Sequence, residues 1–463
     1  MAAGFISAYR APMATIHWFR RDLRLSDNPA LLAAIAEAEQ SADPRVVPLF
    51  ILDPTEWKEL GAVRGAYLVR SLNELGKSLN RNLLIRHGEP AKVLPEVIKA
   101  ANATSVHISA DYVPAGFARD AEIEKLISVP LVRTGSPYAI APGRVKKDDG
   151  TPYRVFTPFY KAWVAHGWRL PAVTPDFTNW WMPLECQGRP AEPDLGNLQL
   201  PAAGEAAAFA QWQKFRDTTL VNYADDRNRP DFVNGTSRLS IPLRFGEIHP
   251  RTILQDLTAK DEVYQKEICW REFYADVLHH NPHTITENLN KQYDLMPWET
   301  GKAADENFAA WCEGRTGFPF VDAGMRQLLA EGWMHNRVRM VVASFLIKDL
   351  HIDWRRGADW FMKWLADGDI ASNQHGWQWT AGSGTDASPF YRVFNPITQG
   401  TKFDPTGDYV RKYVPELAHL PGELAHEPWK ASDGYKFNYP APIVDHAVER
   451  IRALADYEKT KKN

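Results

Sequence analysis

The chain has 463 residues, 44% of them hydrophobic, enough for two or three domains with sizeable cores. A net charge of -3 leaves no global basic surface, so any nucleic-acid partner must be met by a local patch. The three cysteines (Cys186, Cys269, Cys312) are too few and scattered for a disulfide framework or a zinc site, and no apolar run spans a bilayer; a cytoplasmic protein is expected.

Residues 1–13 lack the apolar stretch of a signal peptide and are expected to be an upstream start or a disordered leader. Residues 14–140 then alternate between two patterns. TIHWF, RVVPLFIL, NLLIRHG, SVHIS and PLVRTG are short, apolar and rich in β-branched residues. Between them NPALLAAIAEAEQ, GAYLVRSLNELGKSL, AKVLPEVIKAA and AGFARDAEIEKL have helical spacing. This alternation predicts βαβ units and an α/β, Rossmann-like, doubly wound parallel sheet. Asn28 before Pro29 reads as the cap and first residue of the first helix. No GxGxxG follows the first strand, which argues against a dinucleotide gripped by the usual glycine turn. That turn instead reads WFRRDLRLSDN, whose Arg20, Asp22, Arg24 and Asp27 are most simply a structural ion-pair cluster. Residues 141–205 lose periodicity and gain prolines, as an interdomain connector crossing a surface does. From 206 to 463 the pattern is helical, so an all-α domain is expected.

Three stretches of the helical half carry chemistry. In NGTSRLS, Thr236, Ser237 and Ser240 offer hydroxyls, Gly235 permits close backbone approach and Arg238 adds charge. Such a loop before a helix can hold phosphate, although a capped turn looks the same. In KEICWREFYADV, Glu267, Trp270, Arg271 and Tyr274 stand at i, i+3, i+4 and i+7, a face better suited to a pocket wall than to a core. Between 333 and 403 the chain mixes Trp333, Trp354, Trp360, Trp364, Trp377 and Trp379 with Asn336, Arg337, Arg339, Asp367, Asp369 and Asn373. Buried amides and charges need partners, so this mixture points to a pocket around a large, flat, polar-edged aromatic guest. Arg339, oriented by Asp367, would balance an anionic guest, Asp369 would accept a ring N–H, and Asn373 would offer its amide.

WFRRDLRLSDN, GTSRLS, WREFY, WMHNRVRM, DGDIASNQHGWQW and TDASPFYRVFNPITQGTKFD together resemble the signatures of the photolyase/cryptochrome family, across nearly the whole chain after Met13. Within it the chain looks most like a class I cyclobutane pyrimidine dimer (CPD) photolyase, a carbon–carbon lyase. The resemblance implies an antenna domain (14–140), a connector (141–205) and a helical domain (206–463) that holds FAD in a U shape and binds DNA. By position, Tyr223, Thr236, Ser237, Arg238, Leu239 and Ser240 would grip the FAD phosphates. Arg271, Asn336, Arg339, Asp367 and Asp369 would complete the flavin shell, with Asn373 facing the flavin N5. Glu267 would hydrogen-bond the damaged bases, Trp270, Met340 and Trp379 would wall the dimer pocket beside Asn336, and Arg227 and Arg337 would contact DNA.

The activity so implied is light-driven repair. Excited FADH⁻ lends an electron to a dimer flipped out of the duplex, the ring opens and the electron returns. The partner would be UV-damaged DNA, bound by a monomer. Asn336 and Met340 in HNRVRM differ from the paired histidines of (6-4) photolyases, and Asn373 resembles photolyases rather than cryptochromes. The alternative is a cryptochrome-like blue-light photoreceptor without repair activity, against which the short stretch after the last helix also argues. Trp377 and Trp354 match the family's electron relay. Its third indole would fall near Gly301, where Trp298 is the nearest substitute. Folate-using relatives carry Asn-Glu where this chain has Ala115 and Gly116. With Asp53, Arg64, Asp111 and Arg244, this favours an 8-hydroxy-deazaflavin antenna over methenyltetrahydrofolate.

Overall fold

The computed structural model describes residues 13–174, 180–385 and 391–461. Residues 1–12 of the leader, residues 175–179 of the connector, the DASPF stretch at 386–390 and residues 462–463 lie outside them. Strands β1 (Ala14–Phe19), β2 (Arg45–Leu52), β3 (Leu84–His87), β4 (Ala103–Ile108) and β5 (Leu131–Arg133) form one parallel sheet in the order β3-β2-β1-β4-β5. Helices α1 (Pro29–Ala38), α2 (Pro54–Ser78), α3 (Pro90–Ala101) and α4 (Pro114–Leu126) connect them. Every residue of β1 is buried, as covered faces require of a central parallel strand. Each connecting helix opens on proline, whose missing N–H costs nothing there. Asn28 caps α1 as expected, accepting from the Leu31 N–H at 3.1 Å. The sheet therefore has the expected doubly wound character, and its order reverses at β1, between β2 and β4.

The RRDLR segment leaves β1 at that reversal. Its charges are structural, but most find partners elsewhere. Arg20 donates to Asp120 at 2.5 Å, Arg24 to the Gly246 carbonyl at 2.9 Å, and Arg251 to Asp27 at 2.5 Å. The connector is not wholly irregular, since it contains α5 (Phe156–His166). Further on, Trp180 and Met182 exchange backbone hydrogen bonds with Val46, and the Gln187 N–H donates to Ile85 at 3.0 Å. A sheet edge that would otherwise stay open is thereby covered.

The helical half holds α6 (Glu205–Thr218), α7 (Tyr223–Asp226), α8 (Ser240–Phe245), α9 (Pro250–Leu254), α10 (Glu262–His280) and α11 (Lys302–Glu313). It continues with α12 (Pro319–Glu331), α13 (Asn336–Lys348), α14 (Trp354–Trp364), α15 (Ile370–Ala381), α16 (Pro396–Phe403), α17 (Asp408–Tyr413) and α18 (His446–Lys461). Its main core gathers Trp311, Phe345, Trp354, Phe361 and Trp377 with the aliphatic faces of α12 and α13. Among the described residues no helix is long and apolar enough to cross a membrane.

The two halves dock through backbone. Leu23 donates to the Phe245 carbonyl at 3.2 Å, and Gly246 turns the chain with φ +71° directly against the Arg21 carbonyl. A Cβ at Gly246 would sit 1.9 Å from that oxygen. Close by, buried Glu247 accepts from Tyr67 (2.8 Å), Ser71 (2.6 Å) and the Gly204 N–H (2.6 Å), so α2, the connector and the helical half share one carboxylate. Gly246→Ala combines a positive φ with a backbone clash and is expected to cost about 2–4 kcal/mol. A lower urea midpoint with both halves unfolding earlier is the expected reading; a wild-type midpoint would contradict this docking.

Candidate functional site

The helical half encloses a cavity of about 540 Å³, within the usual range of cofactor sites. Every residue expected to hold the cofactor lines it, from Tyr223 and the 236–240 loop to Arg271, Asn336, Arg339, Asp367, Asp369 and Asn373. So do the residues expected at the lesion, Arg227, Glu267, Trp270, Arg337, Met340 and Trp379, and the indole of Trp377.

Four elements build the walls. The loop before α8 is held from outside: the Tyr264 hydroxyl donates to Ser237 Oγ at 2.8 Å, and Arg238 pairs with Glu331 at 3.0 Å while lying over the Trp333 ring. Arg238 itself has φ +52°, so this loop keeps its shape against a backbone preference. Helix α10 presents Glu267, Trp270, Arg271 and Tyr274 to the cavity together, as their spacing predicts. Trp270 is fixed by stacking on Phe156 of α5, with ring centroids 3.7 Å apart. Arg271 donates to the carbonyls of Pro137 (2.9 Å) and Leu243 (3.2 Å).

Helix α13 supplies Asn336, Arg337, Arg339 and Met340. Arg339 binds Asp367 through both nitrogens, at 3.2 and 2.8 Å, the planar fork that arginine alone provides. Helix α15 starts at Asp369, whose Oδ1 accepts from the Ser372 N–H at 3.1 Å as an N-cap. One turn on, Asn373 donates to the Ala358 carbonyl (3.1 Å) and to Gln374 Oε1 (2.8 Å). Both N–H groups of Asn373 are thus used, and its carbonyl oxygen is the atom left to accept from a guest.

The pole around Asp369 was only half visible in the sequence. Arg21, from the end of β1, reaches across and donates to Asp369 Oδ2 at 2.6 Å. Burial alone would raise this carboxyl; Arg21, Arg271, Arg244 and the Ser372 N–H overcome it and hold Asp369 well below the usual carboxylate range. Arg244, expected at the antenna, instead lines this cavity, with Nε donating to the Gly368 carbonyl at 2.9 Å. Burial, and then repulsion from Arg21, push it down to about 9. Arg64 likewise spends its guanidinium on the carbonyls of Met362, Leu365 and Glu59. Asp53 caps α2 by accepting from the Thr55 N–H at 2.8 Å, and Asp111 accepts from the Val113 N–H at 3.0 Å. A Cβ on Gly116 would fall 2.2 Å from the Asp111 carboxylate, so Asp111 already fills the space of a side chain there. The missed residue is Arg21. Its one signal was a second arginine beside Arg20, where alternation at a strand end sends neighbours to opposite faces.

Behind the cavity, the ring neighbours of Trp377 among the described residues are Phe361 (5.0 Å) and Trp311 (6.1 Å), rather than Trp354 or Trp298. Trp354 is fully buried, with its N–H on Asn288 at 3.0 Å, and Trp298 packs at the margin of the same core. No group of three or more His, Cys, Asp or Glu among the described residues is arranged to hold a metal ion.

Residues 15–176 match the family model for DNA photolyase, and residues 264–459 match that for the FAD binding domain of DNA photolyase. The chain is 40% identical to the deoxyribodipyrimidine photo-lyase of Agrobacterium fabrum, over 96% of this chain and 98% of that one. A class III photolyase structure from Agrobacterium tumefaciens superposes with a TM-score of 0.87 at 37% identity, over 99% of this chain and 100% of the other. A Synechocystis cryptochrome structure superposes with a TM-score of 0.86 at 28% identity, over 96% and 99%. With the sheet, the helical half and this full-length kinship in agreement, the chain belongs to the photolyase/cryptochrome family.

Proposed function

We propose that the protein is a deoxyribodipyrimidine photo-lyase that uses light to reopen cyclobutane pyrimidine dimers in DNA. The observation that carries this is a single cavity with a buried polar end, the paired charges of Asp367 and Asp369 beside the Asn373 amide, and a more exposed rim of Glu267, Trp270, Met340 and Trp379. The buried pole fits FAD. Asp369 and the Asn373 carbonyl are acceptors for ring N–H groups, Arg339 is a cation already fixed in place, and the 236–240 loop offers hydroxyls for phosphate. Bound FAD, in its reduced state and under light, would supply the electron that opens the dimer. The protein's own work is to bind, orient and exclude water. Trp270 and Trp379 give flat surfaces for an extruded lesion, and Glu267 a hydrogen-bonding group for a base carbonyl as negative charge develops on it.

The three-part division at 14–140, 141–205 and 206–463 goes with this reading. Class I membership rests on the Asn336–Met340 helix and Asn373, alongside a class III structural neighbour. We read the antenna as 8-hydroxy-deazaflavin on Asp53 and Asp111, without Arg64 and Arg244, whose guanidinium groups are engaged by backbone carbonyls. A cryptochrome-like receptor is the second reading, favoured by the Synechocystis neighbour. Blue light on the purified, reduced protein with dimer-containing DNA decides between them: restored thymines support repair, and their absence supports the receptor.

Two variants test the roles. Glu267→Ala is expected to lower repair by roughly tenfold, the worth of one charged hydrogen bond, with FAD content little changed; equal losses would contradict the role. Trp377→Phe is expected to slow photoreduction of the oxidised protein while leaving repair by pre-reduced protein near wild type. A joint loss of both would rule out a relay role for this indole.

A further inference from the structure

Arg227 does not point free toward a DNA partner. Its guanidinium lies 2.6 Å from the Glu267 carboxylate, across the exposed rim of the cavity, and also packs over the Tyr223 ring. The contact is a loose one. Only one guanidinium nitrogen of Arg227 is paired with the carboxylate, and the two side chains remain 26% and 28% exposed. The fully forked Arg339–Asp367 pair, whose carboxylate is 3% exposed, shows what a fixed pair in the same cavity looks like.

Arg227 has other cations beside it. Arg337 lies near enough to repel it, reaching residue 228 with both Nε and Nη2 on Asn228 Oδ1, at 3.1 and 2.7 Å. Arg337 and Arg392 have no acidic partner among the described residues, so the rim carries more positive charge than Glu267 offsets. A phosphate placed between Arg227 and Arg337 would relieve both arginines at once. Glu267 would then stand without its counter-charge, and an occupied cavity would remove its remaining water.

We infer that Arg227 is a clamp on Glu267 that a DNA phosphate takes over, so that lesion binding leaves Glu267 to take up a proton and meet the base as a neutral donor. The proton comes from bulk solvent and ends on a Glu267 carboxyl oxygen, which then donates to a carbonyl of the lesion. This deepens the repair reading and rests on it. Burial already raises the Glu267 carboxyl, and Arg227 is what opposes that rise. The other titratable groups facing it stay silent. Tyr223 and Tyr264 are pushed up by burial and remain neutral. Burial, with Arg339, Arg337, Arg238 and Arg227, holds His335 down to about 3.

The test is proton uptake on binding, read by calorimetry in two buffers of different ionisation enthalpy between about pH 6 and 8. The FAD-loaded protein is titrated in the dark with a duplex carrying one thymine dimer, and with its undamaged twin. Wild type is expected to take up as much as about one proton per dimer complex at some pH in that window. Glu267→Gln should abolish the uptake while retaining a preference for the damaged duplex. Arg227→Gln should also lose it, because its free state has no clamp to release. Damage-specific binding without uptake, or uptake unchanged in either variant, would overturn the clamp alone. No preference for the damaged duplex would remove the repair reading and the clamp with it.

Discussion

The contact between Arg21 and Asp369 joins the two halves of the molecule at the place where they have to agree. Asp369 is buried, and an ionised carboxylate there survives only with cations around it. Two of those cations, Arg244 and Arg271, come from the helical half and are steered by backbone carbonyls. The third arrives from the end of β1, at the reversal of the parallel sheet. Doubly wound sheets place their functional loops at that reversal. Here the loop also turns toward the helical half. It supplies a charge to a cavity in the other half.

This has a structural consequence for the turn itself. Arg21 can reach Asp369 only if the segment after β1 lies flat against residues 245 and 246. Gly246 is the residue that leaves room, with the Arg21 carbonyl where any side chain would stand. Arg24 bonds the same glycine's carbonyl, and Leu23 the carbonyl before it. Docking and site electrostatics are therefore one problem, solved by a few residues of RRDLR and the loop after α8. An α/β half folded without its partner would leave Arg21 without this carboxylate, and a helical half alone would hold a less well compensated buried anion.

The sequence was most informative where a period or a cap determines structure. Strand–helix alternation foretold the sheet, and Asn28–Pro29 foretold the start of α1. The i, i+3, i+4, i+7 run foretold which face of α10 meets the cavity. Spacing within one helix constrains direction, and that is enough to place Glu267 beside Trp270 and Arg271. Contacts between distant segments leave no such trace. Nothing local says that Arg21 meets Asp369, that Arg244 turns inward, or that α5 carries Phe156 onto Trp270. The same holds for the indoles: a motif points to Trp354 and Trp377, and nothing local says that Phe361 and Trp311, the latter from a helix more than sixty residues earlier, also pack on Trp377.

Two arginine–carboxylate pairs divide the labour of the cavity. Arg339 and Asp367 are forked and anchored, since Arg339 Nε also donates to the Met334 carbonyl at 2.8 Å. Such a pair cannot rotate without breaking three bonds, so it suits a group that must be held in one pose. Arg227 and Glu267 meet through one nitrogen, and both side chains keep contact with solvent, so separating them costs less than breaking the fork. A site that retains one guest and exchanges another needs both kinds of pairing, the rigid one deep and the loose one at the rim. That gradient in stiffness, rather than any single residue, distinguishes this cavity from a buried ion-pair network built only for stability.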